Sequence, residues 1–287
     1  MRILITGAGG QVGSALAHVA SNHEVLAADR SILDTNDPVA VERVVSEFAP
    51  EAIVNCGAMT DVDGCERDPD LAYTQNALAP RYLALAARAV DAHVVQVSTD
   101  YVFDGTLGAA YREWDLTHPL SVYARSKLGG EREVIEHAPS FAIARTAWVF
   151  GRPGTDFPSW VVKSAEAGTL KGIVDDQWGS PTYANDLADV LLAMAERRVA
   201  GTFHVANEGR ATRHDQGVRT LELLGRSTDV PGISAESLNR PAPRPRDVPL
   251  DSRTLGAVGL PAMRPWRDAL DEYVRTVLSP RLSEVLS

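Results

Sequence analysis

The feature that most constrains this chain is a glycine triplet set between a short apolar run and a helical one. Arg2–Thr6 (RILIT) reads as a buried strand, Gly7, Gly10 and Gly13 follow at G-x-x-G-x-x-G spacing, and Gln11–Ala20 reads as a helix. Glycine is wanted three times there: for a tight turn, for close backbone approach to a pyrophosphate, and for close packing of helix on strand. The free N–H groups at the helix start then face the anion. Asp29 ends the next apolar run, 22 residues after Gly7. An acid at that distance accepts the ribose hydroxyls of an adenosine. Arg30 beside it suits a 2′-phosphate, so NAD and NADP both stay open. A glycine turn without a ligand would not need the strand–turn–helix context and the acid spacing together.

The rest of the first half repeats the alternation. Strands are expected at Glu24–Asp29, Ala52–Gly57, His93–Thr99 and Phe141–Phe150, with helices at Pro38–Phe48, Leu71–Val90 and about 121–137. Near-continuous apolar strands separated by helices imply a parallel sheet covered on both faces. The fold class expected is α/β, a Rossmann-type doubly wound sheet over residues 1–150, completed by returning segments near 175–205. Residues 151–287 read mostly as a smaller, discontinuous mixed α/β lobe at the carboxyl ends of the strands, where such sheets bind ligands.

Composition excludes several classes. With 38 acidic against 28 basic residues the net charge is −10, which argues against nucleic acid as a partner. No apolar run approaches a membrane span, and the first residues read as a strand and not as a leader, so a cytoplasmic protein is expected. Two cysteines are too few for a disulfide framework or a closed zinc site, and the seven histidines show no ligand spacing, so no metal is expected.

One pair stands out against this background. Tyr123-Ala-Arg-Ser-Lys127 falls in an expected helix, where residues four apart share a face. With seven Tyr in 287 residues and lysine only at 127, 163 and 171, chance predicts roughly 0.07 such pairs. A neighbouring ammonium lowers a phenol's pKa, so the pair suits acid catalysis, though a Tyr stacked on a Lys stem at the surface has the same spacing. Thr99 ends the fourth strand, where a hydroxyl faces the ligand crevice.

These motifs resemble an extended short-chain dehydrogenase/reductase. Finer strings narrow the resemblance: Gly10-Gln-Val-Gly13, Asp29-Arg30, Ser98-Thr-Asp-Tyr-Val-Phe-Asp-Gly105, Arg145-Thr-Ala-Trp-Val149, Asp175-Asp-Gln-Trp-Gly-Ser-Pro-Thr182 and Arg244-Pro245 are similar to the dTDP-4-dehydrorhamnose reductase family. The resemblance implies that Gly10, Gln11 and Val12 meet the cofactor diphosphate, with Gly7 and Gly13 completing the cofactor-binding loop, and that Asp29 and Arg30 lie at the adenosine ribose. It puts Asp34 and Thr35 near the adenine, with Ala58, Met59 and Thr60 along the cofactor. It makes Thr99, Tyr123 and Lys127 the catalytic trio and Val62, Asp100 and Trp148 the sugar-nucleotide border. Arg244 or Arg246 would hold the substrate diphosphate. Gly57-Ala58-Met59, Ala147 and Arg246-Asp247-Val248 depart from the family pattern, and they touch the substrate pocket more than the trio.

The activity implied is NADPH- or NADH-dependent reduction of the C4 ketone of a dTDP-4-keto-6-deoxy sugar, by default dTDP-4-dehydrorhamnose to dTDP-rhamnose. Tyr123 would give the proton, Thr99 would hydrogen-bond the same oxygen, and Lys127 would hold the nicotinamide ribose and lower the Tyr123 pKa. A 4,6-dehydratase is disfavoured because Tyr101 stands where its Thr-Asp-Glu pattern needs Glu. Another deoxysugar 4-ketoreductase, an epimerase or a non-catalytic nucleotide-binding homologue stay open, as does a homodimer. Trp178 is expected on a substrate-side loop or in the core.

Overall fold

The structure is a computed structural model and describes residues 1–152 and 155–281. It begins with β1 (Arg2–Thr6), α1 (Gln11–Val19), β2 (Glu24–Ala28), α2 (Pro38–Phe48), β3 (Ala52–Asn55), α3 (Val62–Arg67), α4 (Pro69–Tyr73), α5 (Ala79–Ala89), β4 (His93–Thr99), α6 (Val122–His137) and β5 (Ser140–Thr146). Next come β6 (Val149–Phe150), α7 (Phe157–Glu166), β7 (Ile173–Val174), β8 (Trp178–Gly179), β9 (Thr182–Tyr183) and α8 (Ala184–Arg197). β10 (Gly201–His204), β11 (Ala211–Thr212), α9 (Arg213–Leu223), β12 (Gly232–Ile233) and α10 (Trp266–Tyr273) follow. Among the described residues, β10, β5, β4, β3, β1 and β2 lie in that order in one parallel sheet. The fold is a doubly wound α/β sheet of Rossmann type.

Strand residues alternate between two apolar layers. Ile3, Ile5, Val54, Val95 and Ala144 pack with Leu16 of α1 and Leu187, Leu191 and Met194 of α8. Leu4, Ile53, Val94 and Ile143 pack with Val41 of α2, Leu83 of α5 and Val134 of α6. Because both faces are covered, the strands read as unbroken apolar runs. A third core, around Phe150, Tyr183, Trp266, Leu270 and Tyr273, belongs to the smaller part, whose strands form two-stranded sheets among the described residues.

Two differences from the sequence reading have physical causes. The fifth strand does not run from Phe141 to Phe150. It stops at Thr146, because Trp148 takes the left-handed φ of +46° and turns the chain out of the sheet, where β6 pairs with β9. The helical run expected over Leu71–Val90 is present as α4 and α5, joined by a π-helical turn at Thr74–Leu78. That turn aims Asn76 inward. Its side chain accepts from Met59 N–H at 2.8 Å and donates to the Met59 carbonyl at 3.1 Å and to Ser126 Oγ at 3.0 Å.

Strand order reverses between β1 and β3, and their carboxyl ends approach closely. Gly7 has φ +67°, and a Cβ there would lie 2.6 Å from Gly57 N. A Cβ on Gly13 would lie 2.8 Å from Ala8 Cα and collide with the Gly7 carbonyl. Gly13→Ala is therefore expected to cost about 1–3 kcal/mol of stability by overpacking. Urea unfolding checks this, and an unchanged midpoint would contradict the close approach.

Candidate active site

A cleft of about 640 Å³ opens over the carboxyl ends of β1, β3, β4 and β5. Its first wall is the glycine loop. Gly9, Gly10, Gln11 and Val12 line it, and Gly10 caps α1 without any side-chain bond, which leaves the first-turn N–H groups for an anion. Gln11 Oε1 is buried there with no partner among the described residues. Gly7 and Gly13 sit behind the loop and set its shape. The free first-turn N–H groups, on a loop whose tight shape a Cβ at Gly7 or Gly13 would break by collision with backbone, fit a dinucleotide diphosphate.

Asp29, Arg30, Asp34 and Thr35 do not line the cleft itself and lie beyond the end of β2. Asp29 is adjacent to the loop, since a Cβ on Gly9 would touch Asp29 Cβ at 3.8 Å. Hydrogen bonds from the Ser31 hydroxyl and the Ser31 and Ile32 amides hold its carboxyl below the usual carboxylate range. Arg30 is exposed and 3.9 Å from Asp34. After β3, Ala58, Thr60 and Val62 line the cleft, while Met59 is held through its backbone by Asn76.

Thr99, Tyr123 and Lys127 all line the same cleft. α6 carries two of them, and its position is fixed from beneath. Arg145 of β5 donates to both Glu131 carboxylate oxygens, at 3.0 and 2.8 Å, and Ser98 of β4 donates to Glu131 as well, all of them buried. Glu131 lies one helical turn beyond Lys127, so this pair sets the height and rotation of the face bearing Lys127 and Tyr123.

The electrostatics differ from the sequence expectation in one respect. Lys127 Nζ donates to the Val97 carbonyl at 2.8 Å, and burial pushes its ammonium down to about 8, opposed by Glu131 and Cys56. Tyr123 is not lowered by it. Burial raises the phenol, Asp100, Tyr101 and Cys65 raise it further, and a hydrogen bond with Thr99 opposes them. The phenol is therefore firmly protonated, as a proton donor must be. The Thr99 hydroxyl also donates to Asp100 Oδ1 at 3.0 Å and accepts from Tyr101 N–H at 3.2 Å. Asp100 is buried, its Oδ2 has no partner among the described residues, and burial pushes its carboxyl up to about 7.

Opposite the trio stands Trp148. Its indole lies on Gly179, where a Cβ would be 2.6 Å from the ring, and the Arg213 guanidinium lies 3.9 Å over it. Arg213 also stacks 4.8 Å from the Phe157 ring, lines the cleft, and acts electrostatically on Asp100 and Tyr101. Sequence reasoning missed it, because nothing in the spacing links residue 213 to residue 148. Its only local signal is its place directly after Thr212, which caps α9.

The two arginines expected at the substrate diphosphate are placed differently from each other. Arg244 makes a two-pronged pair with Asp63, at 3.0 and 2.9 Å, and neither Arg244 nor Arg246 lines the main cleft. Both, with Arg240, Gln177 and Asn239, line a second opening of about 360 Å³. Trp178 lies outside both openings, under Arg210 at 4.0 Å, which pairs with Asp247. Among the described residues no group of His, Cys, Asp and Glu is arranged to hold a metal.

The raised Asp100 carboxyl has a consequence for stability. The unfolded chain releases this proton near pH 4 and the folded chain near pH 7. The folded state thus holds more protons in between, and stability falls as pH rises through that window. Asp100→Asn removes this loss. Its unfolding midpoint relative to the unsubstituted protein is expected to rise between about pH 4 and pH 7 and then level off. A difference independent of pH would contradict the burial of an ionisable carboxyl.

Comparison with known proteins agrees with this geometry. The family model described as RmlD substrate binding domain matches residues 1–279. A dTDP-4-dehydrorhamnose reductase of Mycobacterium tuberculosis is 44% identical over 94% of this chain and 91% of its own. The crystal structure of a dTDP-4-dehydrorhamnose reductase from Clostridium acetobutylicum superposes with a TM-score of 0.92 at 37% identity, covering 97% of this chain and 100% of that one. The same enzyme from Bacillus anthracis, in complex with NADP, gives 0.91 at 32% identity, covering 95% and 98%.

Proposed function

The chain belongs to the RmlD substrate binding domain family, together with the dTDP-4-dehydrorhamnose reductases, and from that premise we propose that it reduces the C4 ketone of a dTDP-4-keto-6-deoxy sugar, dTDP-4-dehydrorhamnose being the substrate and dTDP-rhamnose the product. The observation that carries this reading is a protonated phenol, Tyr123, beside Thr99 and Lys127 in the same cleft as a glycine cradle. The dinucleotide, when bound, supplies a hydride to C4. Gly10, Gln11 and Val12 hold its diphosphate through backbone N–H groups. Asp29 takes the adenosine ribose, with Arg30 beside it for a 2′-phosphate, and the NADP of the Bacillus anthracis relative supports NADPH over NADH.

Tyr123 gives its phenolic proton to the oxygen on C4. Thr99 orients that phenol through the hydrogen bond between them. Lys127, anchored on Val97, presents its ammonium to the nicotinamide ribose. Val62, Asp100 and Trp148 border the sugar. The substrate diphosphate falls to Arg246 and Arg240, because the Arg244 charge is already matched by Asp63. Residues 1–150 serve as the dinucleotide part and 151–287 mostly as the substrate lobe. The reading places the enzyme in the cytoplasm, and among the described residues no helix is long and apolar enough to cross a membrane. Exposed Leu71, Leu78 and Leu85 on one helical run favour a homodimer.

The test is NADPH oxidation with dTDP-4-dehydrorhamnose, the product being identified by NMR. Tyr123→Phe is expected to lower kcat by about 10²–10⁴-fold while NADPH binding stays within a few-fold. A Phe variant with full turnover would overturn the role of Tyr123.

A further inference from the structure

A hydroxyl can pass a proton along when it gives one hydrogen while taking another. Thr99 is bonded in that way. Its hydroxyl has one hydrogen and two lone pairs. Tyr101 N–H occupies one lone pair at 3.2 Å. The remaining hydrogen and lone pair are shared between the Tyr123 phenol and Asp100 Oδ1, the latter at 3.0 Å. Thr99 therefore either accepts from Tyr123 and gives to Asp100, or accepts from Asp100 and gives to Tyr123. The two arrangements differ by one proton carried from the carboxyl to the phenol.

We propose that Asp100 is the ultimate proton source of the reduction, acting on the C4 oxygen through Thr99 and Tyr123. The inference rests on the ketone-reductase reading above. As Tyr123 gives its proton to the oxygen on C4, its O–H bond is remade with the Thr99 hydrogen, and the Thr99 bond is remade with the hydrogen of Asp100. Three O–H bonds break and three form. With the hydride from the dinucleotide, the ketone becomes an alcohol and the one new negative charge rests on Asp100.

The surroundings favour that destination. A phenolate at Tyr123 would lie buried near Asp100, Tyr101 and Cys65, each of which raises its cost, while the Lys127 ammonium is directed to the Val97 carbonyl. A carboxylate at Asp100 faces Tyr101 on its own segment, Tyr123 of α6 and, from α9, the cation Arg213, which favours it. With its carboxyl pushed up to about 7, Asp100 holds a proton in about half of the molecules at neutral pH and in most of them below it. Asp100 lines the cleft, so water can restore the proton between turnovers.

The experiment compares the unsubstituted enzyme with Asp100→Asn and Thr99→Ser, with saturating NADPH and dTDP-4-dehydrorhamnose, between about pH 5 and pH 9. The unsubstituted kcat is expected to fall above neutrality as Asp100 ionises. Asp100→Asn should lose about 10²-fold in kcat and lose that limb, with NADPH binding unchanged. Thr99→Ser, which keeps the hydroxyl, should retain the limb. Solvent mixtures of H₂O and D₂O should give a bowed rate plot for the unsubstituted enzyme, because more than one proton is in flight, and this measurement needs no variant to fold. Asp100→Asn with a raised KM but unchanged kcat and limb would make Asp100 a substrate contact only and overturn the proposal, as would a linear rate plot. An enzyme that reduces no 4-keto sugar nucleotide overturns the functional reading and this inference together, whereas an active enzyme with an intact limb in Asp100→Asn overturns this one alone.

Discussion

The site depends on one buried ion pair. Arg145 leaves β5 and Glu131 leaves α6, and they meet beneath the cleft with Ser98 of β4 as a third member. Taking two charges out of water is expensive, and apolar residues of similar volume would often serve stability as well or better. What the pair adds is directionality. A forked guanidinium on a carboxylate accepts little rotation or sliding, whereas an apolar contact between α6 and the sheet would tolerate both. Tyr123 and Lys127 sit on consecutive turns of the same helix, so a slip of α6 would move the phenol and the ammonium together.

Burial then sorts the cleft's titratable groups. Without nearby compensation it penalises the charged form, and here it acts on Tyr123, Asp100 and Lys127 at once. The phenol stays neutral, the carboxyl is held near neutrality, and the ammonium is lowered but kept by Glu131. Arg213, stacked on Trp148 and Phe157, supplies the positive charge on the far side. The chain's overall charge of −10 says little about such a place, because net charge governs solubility and long-range steering and not a local field.

Much of this was legible in the order of residues. The strand–glycine–helix opening, Thr99 at a strand end and the Tyr123–Lys127 pair are local patterns that lie in the elements implied, and the acid Asp29 falls one residue past the end of its strand. Other features were not legible, because they arise between segments far apart in the chain. Arg244 looked available for a phosphate until folding set it against Asp63, 181 residues earlier. Tyr123 was expected to be lowered by Lys127, yet burial, together with residues from two other segments, Asp100 with Tyr101 and Cys65, sets the phenol the other way. Trp148 read as the continuation of a strand. Its left-handed turn follows from packing on Gly179 and under Arg213, neither of which its neighbours in sequence predict.

The sequence by itself determined the α/β class, the glycine-rich turn and the presence of Thr99, Tyr123 and Lys127 at positions that share one cleft, since these depend on periodicity, on residues without a side chain and on spacings of a few positions. Only the tertiary structure decided which charges are spent on one another, which way burial moves each pKa, and which groups, Arg213 and the Thr99–Asp100 link among them, face the reacting end of the cleft. Those outcomes depend on distance and dielectric environment, and neither exists until the strands have been brought side by side.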